Sequence, residues 1–172
     1  MGLYCDFLAQ QEQSTAYMLG AVLKQLASRG GIPEYIREAF QEAKREFGGR
    51  GLRVPDIVEI LKKAITSLSR VFICIDALDE CTAKNRRELL ESLREIVGMS
   101  PNIRVFVTGR RHIDNEIRKC FSNVLRISLS PTPGDIKSYL EMRLDGDTDP
   151  NAMDDELRAD IMRIIPEKIS EM

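Results

Sequence analysis

The stretch Val71-Phe72-Ile73-Cys74-Ile75-Asp76-Ala77-Leu78-Asp79-Glu80-Cys81 constrains this chain more than any other. Five apolar residues in a row, three of them β-branched, run directly into three acids within five positions. So short an unbroken apolar run suits a strand covered on both faces, the centre of a parallel sheet. Carboxylates at its carboxyl end fall where open α/β sheets place their ligand crevice. The plain alternative is a buried strand that ends in a solvated acidic turn. No Lys or Arg stands among the acids, and the strand before them is fully apolar, which favours a metal–phosphate site.

The flanking sequence alternates strands with helices. Leu3 to Leu8 predicts a short strand, and Ser14 or Thr15 caps a helix with Ala16, Leu19, Leu23 and Leu26 on one face. Gly30-Gly31 stops that helix. Pro33 opens a second with Ile36, Ala39, Phe40, Ala43 and Phe47 aligned, until Gly48-Gly49-Arg50-Gly51 breaks it. A third helix from about Pro55 carries Ile57, Ile60, Leu61, Ala64, Ile65 and Leu68. Beyond the central strand, Thr82 caps a helix to about Val97 that buries Leu89, Leu90, Leu93 and Ile96.

Ser100-Pro101-Asn102 then turns the chain into a strand over Ile103 to Val107, which ends in Thr108-Gly109-Arg110-Arg111-His112. Ile113 to Phe121 predicts a helix, and the alternation in Val124 to Leu129 another strand. Thr132-Pro133-Gly134-Asp135 combines a cap, a proline at the first helical position and an acid at the third, opening a helix to about Leu144. An acidic loop over 145–155 leads to a last helix with Leu157, Ile161 and Ile164, which Pro166 is expected to bend or interrupt. Strands separated by helices mean βαβ units and a parallel sheet. The division expected is an α/β core over 1–144 and, over 145–172, the acidic loop and the start of a helical segment.

With 172 residues, 43% of them hydrophobic, the chain is long enough to bury a real core. A net charge of −2 and the lack of a basic stripe argue against a nucleic-acid partner. No apolar run approaches the roughly 20 residues needed to cross a bilayer, so no membrane partner is expected. Met1-Gly2-Leu3-Tyr4-Cys5-Asp6 has neither signal-peptide character nor the Ser or Thr of a myristoylation site. Cys5, Cys74, Cys81 and Cys120 lack C-x-x-C spacing and predict free thiols in a reducing, cytoplasmic compartment.

A Mg²⁺–nucleotide site needs a carboxylate for an octahedral ion that bridges two phosphates. It also needs a second acid beside the attacking water, and a positive group where charge spreads in the transition state. Asp76 suits the first role, Asp79 or Glu80 the second, and Arg110 the third, with Thr108 as a hydrogen-bond donor beside it. His112 and Arg111 predict surface positions, Cys81 a packing role, and Arg86-Arg87-Glu88 a solvated helix face. Asp145, Asp147 and Asp149 alternate like the start of a Ca²⁺ loop, but Pro150 and Glu156 occupy its glycine and closing-glutamate places.

Ile73 to Cys81 resembles the extended Walker B segment of NACHT-type NTPases, members of the STAND class of signalling ATPases. It is closest to the fungal branch described as nephrocystin-3-like N-terminal domains, often found ahead of ankyrin or WD40 repeats. Arg104-Val105-Phe106-Val107-Thr108-Gly109-Arg110 is similar to the sensor 1 strand of that family. Leu3-Tyr4-Cys5-Asp6-Phe7 resembles the strand after its first helix, and Asp135-Ile136-Lys137-Ser138-Tyr139-Leu140 the helix beyond its fifth strand. The resemblance implies a three-layer α/β, P-loop NTPase-like domain with sheet order 5-1-4-3-2. It implies Asp76 for Mg²⁺, Asp79 and Glu80 as catalytic acids around the attacking water, and Thr108 and Arg110 at the phosphates of ATP or GTP. In full-length relatives, nucleotide state would govern oligomerisation and the output of effector and repeat domains.

The sequence departs from the family in having Arg111 where proline commonly follows the sensor arginine, and in holding no G-x-x-x-x-G-K-[ST] loop. That loop and its strand, the first of the five, are expected upstream of Met1, and the last helix reads as cut rather than finished at Met172. The expectation is therefore a partial NTPase domain, not hydrolytically competent alone, prone to self-association or protein partners along the seam left by the missing strand. The alternative is a degenerate regulatory or interaction module whose acids are relics.

Overall fold

The structure is a computed structural model that describes residues 1–28, 34–46, 51–66, 68–146 and 153–170. Gly30-Gly31, Pro33, Phe47 to Arg50 and the loop positions 147–152 lie outside the described residues, as do the side chains of Ala39, Phe40 and Ala43. The chain divides into two compact units, Met1–Val124 and Leu125–Met172.

In the first unit, three strands form a parallel sheet: β1 (Gly2–Tyr4), β2 (Val71–Asp76) and β3 (Ile103–Val107), in the order β1-β2-β3. The apolar run of β2 is thus the central strand, as its composition predicts. Leu3 pairs with Ile75 on one side, and Ile75 with Val107 on the other. Helices α1 (Thr15–Ala27), α2 (Glu34–Glu46), α3 (Val54–Thr66), α4 (Ala83–Gly98) and α5 (Asp114–Cys120) connect and follow the strands. Ser14 caps α1 and Thr82 caps α4, each side-chain oxygen accepting from the backbone amide three residues on.

Leu3, Val71, Ile73, Ile75 and Ile103 on one sheet face share a single core with α1, α3 and α4, where Leu19, Leu61, Leu89 and Leu93 are fully buried. The opposite face presents Tyr4, Phe72, Cys74, Arg104 and Phe106 to solvent. Phe72 and Phe106 lie side by side there with ring centroids 6.1 Å apart. Parallel sheets are ordinarily covered on both faces. The first unit by itself covers one, giving two layers.

Two strand expectations are corrected. β1 ends at Tyr4 instead of Leu8: after Cys5, whose amide still donates to the Asp76 carbonyl at 3.0 Å, Asp6 opens a turn and accepts from Ala9 N. Val124 to Leu129 forms no strand, and Leu125, Ile127 and Leu129 stand exposed. A strand exists only as one side of a hydrogen-bonded pair, and among the described residues β3 has β2 as its one partner, leaving its other edge unpaired.

In the second unit, α6 (Pro133–Asp145) packs with α7 (Asp155–Ser170). The capping box read from Thr132 and Asp135 is present at the start of α6. Pro166 does not interrupt α7, which continues through it to Ser170. Among the described residues, no helix is long and apolar enough to cross a membrane.

Candidate functional site

β2 delivers Asp76 at its carboxyl end, and the chain turns at once. Ala77 adopts φ 54° and ψ 44°, the one non-glycine residue with positive φ among those described. That conformation costs an L-residue on the order of 1–2 kcal/mol, and it falls between the first acid and the next two. It throws the chain into a 3₁₀ turn over Leu78–Glu80, anchored by Leu78, which is fully buried.

The neighbouring strand closes this turn. Thr108, just past β3, donates its hydroxyl to Asp76 Oδ1 and accepts from the Ala77 amide at 2.9 Å. Its backbone carbonyl accepts from Leu78 N at 3.0 Å, and its amide donates to Ile75 O at 2.9 Å. Asp76 Oδ2 has no protein partner among the described residues. Asp79 is pulled the same way: its Oδ1 accepts from the Arg110 amide at 3.2 Å, and its Oδ2 lies 3.5 Å from Arg110 Nε. The Asp79 side chain is 6% exposed against 79% for Arg110, so the acid is fixed while the guanidinium reaches into solvent. Gly109 permits this approach, because a Cβ there would meet Ile113 Cδ1 at 2.6 Å and Asp79 Oδ1 at 3.3 Å.

Asp76, Asp79, Thr108 and Arg110 are therefore brought together at the ends of two adjacent strands. Glu80 goes elsewhere. Its Oε2 accepts from the Phe7 amide at 3.0 Å, and its carbonyl accepts from the Gln10 side chain, so it faces the loop after β1. His112 and Arg111 are exposed, as predicted.

The acid turn is held from beneath by a residue that the sequence places on a solvated face. Arg86 of α4 is 7% exposed. Its Nε and Nη2 donate to the two carboxylate oxygens of Glu116 on α5, each at 2.8 Å. Its Nη1 donates to Cys81 O at 2.9 Å and lies 3.5 Å from Asp79 O. The hydrogen bonds to Glu116 raise the Arg86 guanidinium further and hold the Glu116 carboxyl below the usual range. The signal for this was in the sequence, since Arg86 stands three, four and seven residues before Leu89, Leu90 and Leu93, on the buried stripe of α4.

Cys81 closes the turn. Its sulfur lies 3.1 Å from Cys5 Sγ and 3.9 Å from Met18 Sδ. The hydrogen bond between the sulfurs lowers the Cys81 thiol, with Arg86 acting in the same sense, and raises that of Cys5, with burial adding. Among the described residues, no group of three or more His, Cys, Asp or Glu side chains is arranged to hold a metal ion alone. The donor set nonetheless fits Mg²⁺, which takes one or two carboxylates and completes its shell with water and phosphate oxygens.

The arrangement defines a class: a mixed α/β domain whose central parallel strand carries acids to the same sheet end at which its neighbour delivers a threonine and an arginine. The chain belongs to the Nephrocystin 3, N-terminal family, whose model matches residues 2–110, from β1 to that arginine. Neither the curated proteins nor the solved structures give a match.

Proposed function

We propose that this chain is the acid- and arginine-bearing part of a NACHT-type signalling NTPase, a nucleotide-dependent switch of the STAND class of P-loop NTPases. The observation that carries the reading is the meeting of Asp79 with Arg110, and of Asp76 with Thr108, across the ends of two adjacent parallel strands. The order β1-β2-β3, with the acid strand in the middle and the arginine strand beside it, supports it further. So does the unpaired edge of β3, where the strand preceding a phosphate-binding loop would sit with a fifth strand beyond it, completing the sheet order 5-1-4-3-2 of a three-layer domain.

In this reading Asp76 would hold Mg²⁺, and the ion would supply charge neutralisation at the phosphates of ATP or GTP. Asp79 stands beside the attacking water, and Glu80 joins it by giving up its bond to the Phe7 amide. Thr108 and Arg110 address the terminal phosphate, Arg110 by exchanging its contact with Asp79 for one to a phosphate oxygen. The chain by itself lacks the amide cradle for phosphates, so it binds ATP weakly or not at all and does not hydrolyse it. The free thiols fit a cytoplasmic location. The open edge of β3 fits self-association with a second copy, which sedimentation of the purified chain would detect.

The test begins with the genomic sequence upstream of Met1, where a strand followed in frame by G-x-x-x-x-G-K-[ST] is expected. A protein including that segment should give magnesium-dependent ATP binding by calorimetry that Asp76→Asn abolishes. Equal binding with and without Asp76, or no heat in either, would overturn the reading in favour of an interaction module with relic acids.

A further inference from the structure

Cys5 and Cys81 belong to distant parts of the chain, 76 positions apart, yet their sulfurs approach to 3.1 Å. Cys5 leaves β1 and Cys81 ends the 3₁₀ turn that carries Asp79 and Glu80. Both residues are 3% exposed, whereas Cys74 is exposed and Cys120 half-buried. The sulfurs need to close by only about 1 Å to reach the ~2.05 Å of a disulfide bond. The same seam is crossed by the bonds from Phe7 and Gln10 to Glu80, so the two backbones are already held against each other. Cys5 and Cys81 otherwise serve as small core residues, and nothing in the nucleotide reading uses either sulfur.

We propose that Cys5 and Cys81 form a redox-active thiol pair that a small peroxide converts to an intramolecular disulfide, tethering the acid turn to the exit of β1. Hydrogen peroxide oxidises one sulfur to the sulfenic acid, SH becoming SOH with release of one water. The second thiol then attacks that sulfur, forming the S–S bond and releasing a second water. In sum, two thiols lose two electrons and two protons, and one peroxide is reduced to two waters. Both residues are buried, so the pair answers to a small oxidant reaching the seam when it opens and is closed to a bulky thiol such as glutathione in the folded protein. The tether fixes Glu80 against the Phe7 loop, so oxidation immobilises the turn that carries the candidate acids.

The experiment treats the Cys74→Ser/Cys120→Ser protein with hydrogen peroxide and counts thiols after denaturation. Two titrate before oxidation and none after, the product stays monomeric on a non-reducing gel, and dithiothreitol restores both. In parallel, the natural chain with its four cysteines is oxidised, digested and mapped by mass. A fragment pair joining Cys5 to Cys81 is expected, a result that does not depend on the double variant folding. Persistence of both thiols in folded protein, oxidation to separate sulfinic acids without a link, or links confined to Cys74 and Cys120 would each overturn the proposal. Nucleotide binding enters none of these readouts, so their outcome is independent of the NTPase reading.

Discussion

Replacing Arg86 by Met tests whether the buried guanidinium holds the acid turn in place. Methionine keeps the apolar stem of a residue that is 7% exposed, so packing is largely preserved and the polar loss is isolated. The variant strips the Cys81 carbonyl of its 2.9 Å donor, and Cys81 is itself buried. An unsatisfied buried carbonyl costs about 1–3 kcal/mol. Glu116, at 40% side-chain exposure, regains water when its partner goes, and screening makes its share small. The sum for Arg86→Met is about 2–3 kcal/mol of unfolding free energy, weighted toward the carbonyl.

Glu116→Gln is the milder change. The guanidinium stays in place, still bonded to Cys81 O, and the amide oxygen still accepts one hydrogen bond, so the expected cost is about 1 kcal/mol. Because both residues serve one network, the double variant should lose little more than Arg86→Met alone. Urea denaturation followed by circular dichroism, with an unchanged slope against urea, measures all three. An Arg86→Met protein within about 0.5 kcal/mol of the parent, or a Glu116→Gln protein less stable than Arg86→Met, would refute this account.

Three further outcomes are expected. Arg86 holds the Glu116 carboxyl below its ordinary value, so the stability it adds is complete above the unfolded glutamate range. That stability falls as pH drops through the lowered folded value, and urea midpoints between pH 6 and about 3 should show an acid limb that is shallower in Glu116→Gln. Gly109→Ala drives a Cβ to 2.6 Å from the buried Ile113 Cδ1, which should cost about 1–3 kcal/mol by thermal melting and speed exchange of the Arg110 amide bonded to Asp79. A melt equal to the parent's would show that Ile113 yields freely. Thr132→Ala removes the side-chain half of the capping box and leaves the residue-132 amide on Asp135 Oδ2, and the first-turn amides of α6 should exchange about fivefold faster for a loss of about 1 kcal/mol.

Much of the first unit was legible because its signals are chemical rather than statistical. The β2 run has no polar face, which marked it as the central strand although its Phe72 and Cys74 face is left exposed in this unit, and Ser14 and Thr82 each carry the oxygen that a helix start requires. Arg86 was misplaced because its charge was weighed and its position was not. A long side chain can bury its stem on an apolar stripe when its head finds a carboxylate and a carbonyl, and neither partner is visible from α4 alone. The division of the acids was equally hidden. Consecutive residues in a 3₁₀ turn point about 120° apart, so Asp79 meets Arg110 while Glu80 meets the Phe7 amide, and adjacency in sequence becomes separation in space.

Val124 to Leu129 marks a different limit. Its alternation is as regular as that of many true strands, and Leu125, Ile127 and Leu129 would line one face. Periodicity describes which side a residue would take if the segment were paired; it says nothing about whether an edge is free to pair with it. Within the first unit β3 leaves its outer edge unpaired, as β1 does at the other side of the sheet, and the residues just past β3, Thr108 and Arg110, are already committed to Asp76 and Asp79. The contacts that orient Asp76 and Asp79 run through β2, β3 and Arg86 of α4, and none of them uses the outer edge of β3. Adding a strand to that edge would satisfy the exposed backbone groups of β3 without disturbing a single bond of the acid turn, so strand addition and the ordering of Asp76 and Asp79 are separable steps.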